Sequence, residues 1–323
     1  MSSYAHVTKG SDPLVTDTAF ADLVAPHRAA LQAHCYRMLG SVQDAEDALQ
    51  ETLLRAWRGL PGLKGRGALR AWLYQIATNV CLRALERRPR RALPAELAPP
   101  SAAHDAPADP PGDVVWLEPY PDAGLAYEAR ESVELAFIAA LQHLPERQRA
   151  VLLLRDVLGF APAEIAETLE TTPAAVYSTL QRAHRAVEEK LPAQSQQAAL
   201  QTIGDERLRA VVDQYVAAWE EGDVDALVAL LTEDATFAMP PRPTWFRGPD
   251  AIGTFLAAHP LDGPGRWRRE RVGANGQLAF AAYRRRPDGS EEPQAIEVLT
   301  LAPDGRIAGV MAFHEIAFAP FRA

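Results

Sequence analysis

The period at which apolar residues recur changes along this 323-residue chain near Gly204, and that change limits the folds open to it. Before Gly204 the strong patterns have the 3.6-residue spacing of amphipathic helices. After it, helical stretches give way to period-two alternation, as in Ile296, Val298 and Thr300, between the turn signals Asn275-Gly276, Pro287-Asp288-Gly289 and Pro303-Asp304-Gly305. The first two thirds therefore read as all-α and the last third as α+β.

Phe20, Leu23, Val24, Leu31, Cys35, Met38 and Leu39 predict one helix, capped by Asp17 or Thr18 and ended by Gly40. Ser41, with Asp44 three residues on, starts a second helix whose polar face carries Asp44, Glu46, Asp47 and Glu51. A third runs from Leu69 through Trp72, Leu73 and Ile76 to Val80. Residues 92–127 then hold eight prolines, six acids and no Lys or Arg, the composition of an extended, polyproline-like linker. Within it Trp116 and Tyr120 stand between prolines; such large aromatics are costly to leave in water, which predicts that they dock. Helices resume over 128–192 and include a helix-turn-helix pattern. A short helix Pro162–Leu169 is followed by a joint, Glu170 to Thr172, and a longer helix opened by Pro173, with Tyr177, Ser178, Gln181, Arg182 and Arg185 outermost. Residues 193–204 read as a short polar connector.

The net charge is −9, yet residues 52–91 alone carry +9 and end in Arg87-Arg88-Pro89-Arg90-Arg91. An acidic chain with one concentrated basic block is suited to presenting that block to a phosphate backbone. No stretch is apolar enough to span a bilayer and no signal-peptide pattern opens the chain, so a cytoplasmic location is expected. Cys35 and Cys81 are read as buried free thiols. Phosphate-loop, zinc-protease and nucleophile-elbow motifs are absent, and the eight histidines show no metal-ligand spacing. No metal or cofactor is expected, and nothing in the sequence demands catalysis.

Tyr36-Arg37-Met38-Leu39-Gly40 with Asp44-Ala45-Glu46-Asp47-Ala48 resembles the core-binding helix of bacterial sigma-70 factors, most closely the extracytoplasmic-function (group IV) sigma factors. Ala71-Trp72-Leu73-Tyr74-Gln75-Ile76-Ala77 is similar to that group's promoter-melting helix, and Leu144-Pro145-Glu146-Arg147-Gln148-Arg149 with the helix-turn-helix to its second domain. The resemblance implies a subunit that binds RNA polymerase core enzyme and promoter DNA. Asp44, Glu46, Asp47 and Glu51 would face polymerase. Trp72 and Tyr74 would stack on bases of an opened strand, although the apolar-face position of Trp72 fits core packing equally well. Asn79 would face the extruded minus-ten base, and Arg83, Arg87, Arg88, Arg90 and Arg91 would hold phosphates. Thr172, Tyr177, Ser178, Gln181, Arg182 and Arg185 would meet the minus-thirty-five element. Family members commonly carry Lys and Arg at the Tyr177 and Thr179 positions and a turn glycine where Glu170 stands, so this joint is expected to be more helical. The acidic linker would lie in the polymerase channel that RNA later occupies.

Trp219-Glu220-Glu221-Gly222-Asp223, Leu231-Thr232-Glu233-Asp234-Ala235 and Phe246-Arg247-Gly248-Pro249-Asp250 resemble the SnoaL-like branch of the nuclear-transport-factor-2 superfamily, which implies helices on a curved sheet around a conical pocket. Candidate pocket residues are Trp219, Asp234, Met239, Trp245, Phe313 and His314, and a small-molecule ligand there is one implication. The expected organisation is a tail (1–16), a core-binding and minus-ten domain (17–91), the linker (92–127), a helix-turn-helix domain (128–192), the connector (193–204) and the SnoaL-like domain (205–320). Sigma factors with such a tail use it in place of a separate anti-sigma protein, so the domain is expected to pack on the sigma domains and on Trp116 and Tyr120, regulating in cis. Two other readings stay open from sequence: a ligand-sensing helix-turn-helix regulator acting without polymerase, and an isomerase or cyclase carried by residues 205–320.

Overall fold

Pro26 divides the first apolar stretch. Helices α1 (Asp17–Val24) and α2 (Arg28–Leu39) are joined by a 3-10 turn, Ala25–His27, instead of forming the single helix expected. A proline inside a helix removes an amide donor and clashes with the preceding turn. The computed structural model describes residues 17–63, 68–86, 88–123, 125, 130–261 and 263–322. Arg87 and the side chains of the two predicted caps, Asp17 and Thr18, lie outside the described residues. Gly40 ends α2 at φ 70, and a Cβ there would meet Leu117 at 2.9 Å, so the position needs glycine twice over. Helix α3 (Val42–Gly59) opens as the sequence requires, with Ser41 Oγ accepting from Asp44 N at 3.1 Å. With α4 (Leu69–Leu85) it completes a bundle around Leu31, Met38, Leu49 and Leu73, and the short α5 (Pro94–Leu97) follows.

The second helical unit comprises α6 (Leu135–Gln142), α7 (Glu146–Leu152), which continues into a π turn at Leu153–Val157, α8 (Pro162–Thr168) and α9 (Pro173–Glu188). Thr172 caps α9 by accepting from Ala175 N at 3.2 Å. The joint is not more helical for lacking glycine: Glu170 takes φ 51, the left-handed geometry that lets Thr171 N reach Ala166 O at 2.9 Å. The turn dictates the conformation, and glutamate accepts it. The two helical units share one core. Buried Arg149 on α7 donates to Met38 O on α2 and to Gln142 Oε1. Burial lowers its pKa to about 10, which leaves it charged at neutral pH. Arg37 likewise donates to Ser132 O at 3.0 Å and to Ser132 Oγ at 2.7 Å.

Residues 193–204 are not a loose connector. Helix α10 (Gln196–Ile203) starts on Glu134, whose carboxylate accepts from Gln196 N at 2.9 Å and Gln197 N at 2.8 Å. The buried Gln196 side chain pairs with the backbone of Leu301 in both directions, at 3.1 and 2.7 Å. Hence a stretch that looks polar in sequence is a fixed joint.

The C-terminal domain follows as α11 (Asp205–Glu221), α12 (Val224–Ala229), β1 (Leu231–Ala238), β2 (Trp245–Arg247), α13 (Pro249–Ala258), β3 (Trp267–Ala274), β4 (Gln277–Arg285), β5 (Glu291–Leu301) and β6 (Ile307–His314). The sheet order is β2-β1-β6-β5-β4-β3, with β1 and β6 parallel and every other pair antiparallel. Both sheet faces are apolar. Leu278, Phe280, Leu299 and Ala312 pack against α11–α13, whereas Ala279, Ala281, Ile296, Val298 and Phe313 join the core of the helical units. An antiparallel sheet usually keeps one face wet; here the second face is covered by the rest of the chain.

At that junction the β3–β4 turn, Asn275-Gly276, is inserted between the other segments. Asn275 Nδ2 donates to Val133 O at 2.7 Å and to Tyr36 Oη at 3.1 Å, and its Oδ1 accepts from Tyr120 N at 2.9 Å. A Cβ at Gly276 would meet the Arg130 backbone at 2.8 Å. One turn thus ties both helical units and the linker to the sheet. Replacing Asn275 with Ala removes three buried hydrogen bonds, stranding Val133 O and Tyr120 N while the Tyr36 hydroxyl keeps its bond to Glu118 O, and should cost about 3 kcal/mol, at roughly 1 kcal/mol for each bond lost. Urea unfolding of the full chain tests this; a change under about 0.5 kcal/mol would place the junction elsewhere.

Inside the first bundle His34 is fully buried, hydrogen-bonded through Nε2 to Thr78 Oγ1 at 3.0 Å. Burial, with a smaller contribution from Arg37, depresses its pKa from 6.5 to about 3. Because the unfolded chain takes up this proton more readily, the stabilisation is complete above pH 6.5 and is lost as pH falls from there toward 3. Its slope is at most about 1.4 kcal/mol per pH unit. The His34→Gln variant, which keeps a polar partner for Thr78, should lose about that much of the pH dependence of unfolding between pH 6 and 4. Equal slopes in the two proteins would count against this.

Candidate functional site: the nucleic-acid and polymerase faces

The outer face of α9 is open. Tyr177 is 59% exposed, and Thr172, Ser178, Gln181, Arg182 and Arg185 are exposed beside it, while Val176, Leu180, Ala183 and Val187 bury the opposite face. Helical spacing alone produces this division. Side chains of this kind on an exposed second helix can reach base edges and phosphates in a major groove.

On α4 the expected residues divide. Trp72, Asn79 and Arg83 are spaced to share one stripe, and Arg83 is exposed. The Trp72 ring lies over Gly59 of α3, where a Cβ would meet it at 2.9 Å, so packing holds one side of it. Tyr74 departs from the expectation. It points inward, 3% exposed, edge-on to His34 and Phe160 at centroid distances of 5.4 and 5.7 Å. Two residues beyond Trp72 on a helix is the opposite side, so Tyr74 is not available to stack on a base.

The acidic face and the arginine block meet each other. Glu46 and Asp47 are exposed and Glu51 pairs with Arg55 at 2.6 Å, but Asp44 is engaged by both Arg88 and Arg91. Burial alone would raise the Asp44 pKa; the hydrogen bonds and charges of the two arginines outweigh it and hold the carboxyl below its usual range. Arg91 also donates to Trp116 O and lies 3.4 Å from Glu118 Oε1. Arg90 contacts His143 and Glu96. Asp44 and Arg91 are therefore not free to meet polymerase and phosphate in this arrangement.

The linker is docked along most of its length. Tyr120 packs on Tyr36 at a centroid distance of 4.5 Å, its amide on Asn275, and Asp122 N donates to Gly273 O at 3.1 Å on the edge of β3. Trp116 is only half-buried, and Leu117, which the sequence reading passed over, is the fully buried residue of this stretch. Further upstream Ser101 N donates to Trp245 O at 2.8 Å and Ala108 N to Thr244 Oγ1 at 2.8 Å.

Between the sheet and α11–α13 lies a cavity of about 390 Å³. Trp219, Met239 and His314 line it, as expected. Asp234 does not: it is exposed on β1 and accepts from Thr232 Oγ1 at 2.9 Å, one strand alternation away from the inward residues. Phe313 faces the helical units instead, and Trp245 is buried beneath the linker, its Nε1 donating to Ala98 O at 2.9 Å. The charged pair at the cavity wall, Arg269 and Glu297, was missed. Its signal was a charge at an inward register position, Glu297 between Ala295 and Leu299.

The Asp44 cluster yields a measurable expectation. In Asp44→Asn the freed Arg88 and Arg91 become available to phosphates, so non-specific DNA binding should tighten and its log–log salt slope steepen by roughly one unit per added contact. Fluorescence anisotropy across a salt series reads both; an unchanged slope would show that these arginines do not reach DNA.

Comparison with known proteins agrees with this layout. Residues 23–91 match the family Sigma-70 region 2, 134–187 match Sigma-70, region 4, and 212–310 match SnoaL-like domain. ECF RNA polymerase sigma factor SigG of Mycobacterium tuberculosis is 44% identical over 309 residues, covering 91% of this chain and 81% of that protein. SigJ, another ECF RNA polymerase sigma factor of the same organism, is 30% identical over 302 residues, with 90% and 89% covered. The crystal structure of the Mycobacterium tuberculosis extracytoplasmic function sigma factor SigJ superposes with a TM-score of 0.60 at 24% identity, over 95% of this chain and 99% of that one, so the three-part fold is shared. The chain belongs to the extracytoplasmic-function RNA polymerase sigma factors, in the form that carries a SnoaL-like domain after its two sigma-70 regions.

Proposed function

We propose that this chain confers promoter specificity on bacterial RNA polymerase and that its C-terminal domain restrains that activity in cis. The observation that carries the first part is the exposed α9 face within the segment that matches sigma-70 region 4. On this reading Tyr177, Ser178, Gln181, Arg182 and Arg185 meet the minus-thirty-five element, with Trp72, Asn79 and Arg83 on the minus-ten strand. Glu46, Asp47 and Glu51, joined by Asp44 once it is released, bind core enzyme. The protein acts by positioning polymerase and not through catalysis of its own, as its sigma-factor relatives do. Exposed Asp234 offers no acid to the cavity, and the cavity carboxylate, Glu297, is engaged by Arg269 and Tyr215, which weighs against the isomerase reading.

The second part rests on the junction. A sigma factor must place its two DNA-reading units at the spacing polymerase sets. Here the Asn275 turn and the docked linker fix their separation, and Asp44 is held by Arg88 and Arg91. Productive binding requires undocking the linker, whose acids would then occupy the RNA channel of polymerase. The closed form is the restrained one, and whatever weakens the junction raises activity.

Run-off transcription with purified core enzyme tests both parts. The full chain should initiate at a subset of a promoter library, and altering Gln181 or Arg182 should change that subset. Asn275→Ala should raise initiation several-fold at limiting sigma, because about 3 kcal/mol of lost docking shifts a closed–open equilibrium by more than a hundredfold. No promoter-dependent transcript from either protein would defeat the first part; a transcript that Asn275→Ala does not increase would defeat the second.

A further inference from the structure

The cavity of the C-terminal domain is built with donors left over. Glu297 Oε1 accepts from Arg269 Nη2 at 2.8 Å; Glu297 Oε2 accepts from Arg269 Nε at 3.0 Å and from Tyr215 Oη at 3.0 Å. Both carboxylate oxygens thus have partners. The guanidinium has five N–H groups, and its Nη1 has no hydrogen-bond partner among the described residues although Arg269 is 6% exposed. Among the described residues Trp219 Nε1, beside the Tyr215 hydroxyl, makes no hydrogen bond of good geometry, and the enclosed Nε2 of half-buried His259 has no partner. All three residues line the cavity. Buried polar groups in folded proteins are nearly always satisfied, so what this wall lacks is an oxygen acceptor.

Charge specifies the acceptor further. Among the described residues Glu297 is the carboxylate of the lining and Arg269 its partner, Arg242 at the rim faces Asp109 at 3.6 Å, and burial lowers the His314 pKa so that it adds no charge at neutral pH. The donor left over, Arg269 Nη1, belongs to a charged guanidinium, and such donors make their stronger hydrogen bonds with charged acceptors, which favours a carboxylate over a neutral group. Much of the remaining wall is apolar, with Trp219, Trp267, Phe237 and Phe255 beside Met239 and the small Ala282 and Ala295. Arg269 lies 3.7 Å from the Trp219 ring centroid and 4.8 Å from that of Trp267, which fixes the guanidinium between two flat surfaces. A volume of about 390 Å³ is at the small end of ligand sites.

The rim is formed partly by the linker. Pro107 lines the cavity, Ala108 N is held by Thr244, and Arg242, itself a lining residue, donates to Ala108 O at 3.1 Å. A molecule in the cavity therefore touches the segment that must undock.

We infer that the cavity is a binding site for a small, flat, apolar carboxylate, received by Arg269 with Trp219 and His259, and that this ligand and the docked linker stabilise each other. The binding stands independently of the transcriptional reading; only the consequence, that such a ligand tightens the restrained form, rests on it.

The test uses the full chain without polymerase or DNA, so that its failure is separate from failure of the transcription assay. The probe is 2-naphthoate, compared by calorimetry with its uncharged relative 2-naphthamide. One equivalent of naphthoate should bind, at least about tenfold more tightly than the amide. Arg269→Gln alone would leave Glu297 without a counter-charge and is liable to unfold, so the paired variant Arg269→Gln, Glu297→Gln is used; it should abolish the preference for the acid. Hydrogen exchange reads the linker. At a free naphthoate concentration ten times the Kd, the Ser101 and Ala108 amides should exchange about elevenfold more slowly if undocking empties the site. No saturable naphthoate binding below about 1 mM, equal affinity for acid and amide, or a preference that survives in the paired variant would overturn the site. Exchange unchanged at saturation would overturn its link to the linker.

Discussion

The arrangement of the whole chain depends on the side chain of Asn275 holding three segments at once. It meets Tyr36 from the first helical unit, Val133 from the second and Tyr120 from the linker, all in a buried site. Asparagine suits the position for two separate reasons. It tolerates the left-handed backbone, φ 54, that a tight hairpin imposes, and its amide offers donors and an acceptor to groups that would otherwise be buried unpaired. The following Gly276 lets the turn approach the Arg130 backbone without a Cβ between them. A hairpin signal in sequence is thus also the keystone of the domain assembly.

The second consequence concerns the sheet. A β-sheet in an α+β domain needs one apolar face for its helices. This one has two, and Ala279, Ala281, Ile296, Val298 and Phe313 on the outer face would form a continuous exposed patch if the helical units withdrew. The cost of exposing it disfavours opening by free separation in water: a partner surface must replace what is lost, or only the linker and the Asp44 cluster let go while the sheet stays covered. Close fit favours the second route for small openings. Gly273 admits Asp122 with a would-be Cβ distance of 2.8 Å, so a shift of the linker alone breaks a tight edge contact without disturbing the sheet.

Much of this was legible in the residues. Ser41 capping α3, Thr172 before Pro173, and the turns between β3 and β6 follow from local chemistry that tertiary packing did not overrule. The errors have physical causes. Apolar spacing carried across Pro26 because periodicity records which face is buried and not whether the backbone is continuous. Residues 193–204 looked like a tether because Gln196 and Gln197 are polar, yet their partners, Glu134, Leu301 and Gly276, are remote in sequence. Asp234 and Phe313 were placed in the cavity by family likeness, whereas strand register puts them on other faces. Glu297 and Arg269 could have been found by asking why charges stand at inward positions of β3 and β5.

What holds the closed form shut can be decided by magnitude. The Arg88 side chain is 45% exposed, so its pairing with Asp44 is screened by solvent and contributes no more than about 1 kcal/mol. Arg91 and Asp44 are more enclosed, but polymerase and DNA would offer each an equivalent counter-charge, so exchanging partners changes the total little. The Tyr120 ring against Tyr36 and the fully buried Leu117 have no such replacement in water, and each bond of the buried Asn275 network keeps a net contribution of about 1 kcal/mol over its bonds to water. Ion pairs therefore determine which faces are masked, while the apolar and hydrogen-bonded junction determines how firmly. On the proposed reading, a signal that releases the sigma domains has to act on that junction or on the linker along its edge, and altering surface charge alone would leave the restraint in place.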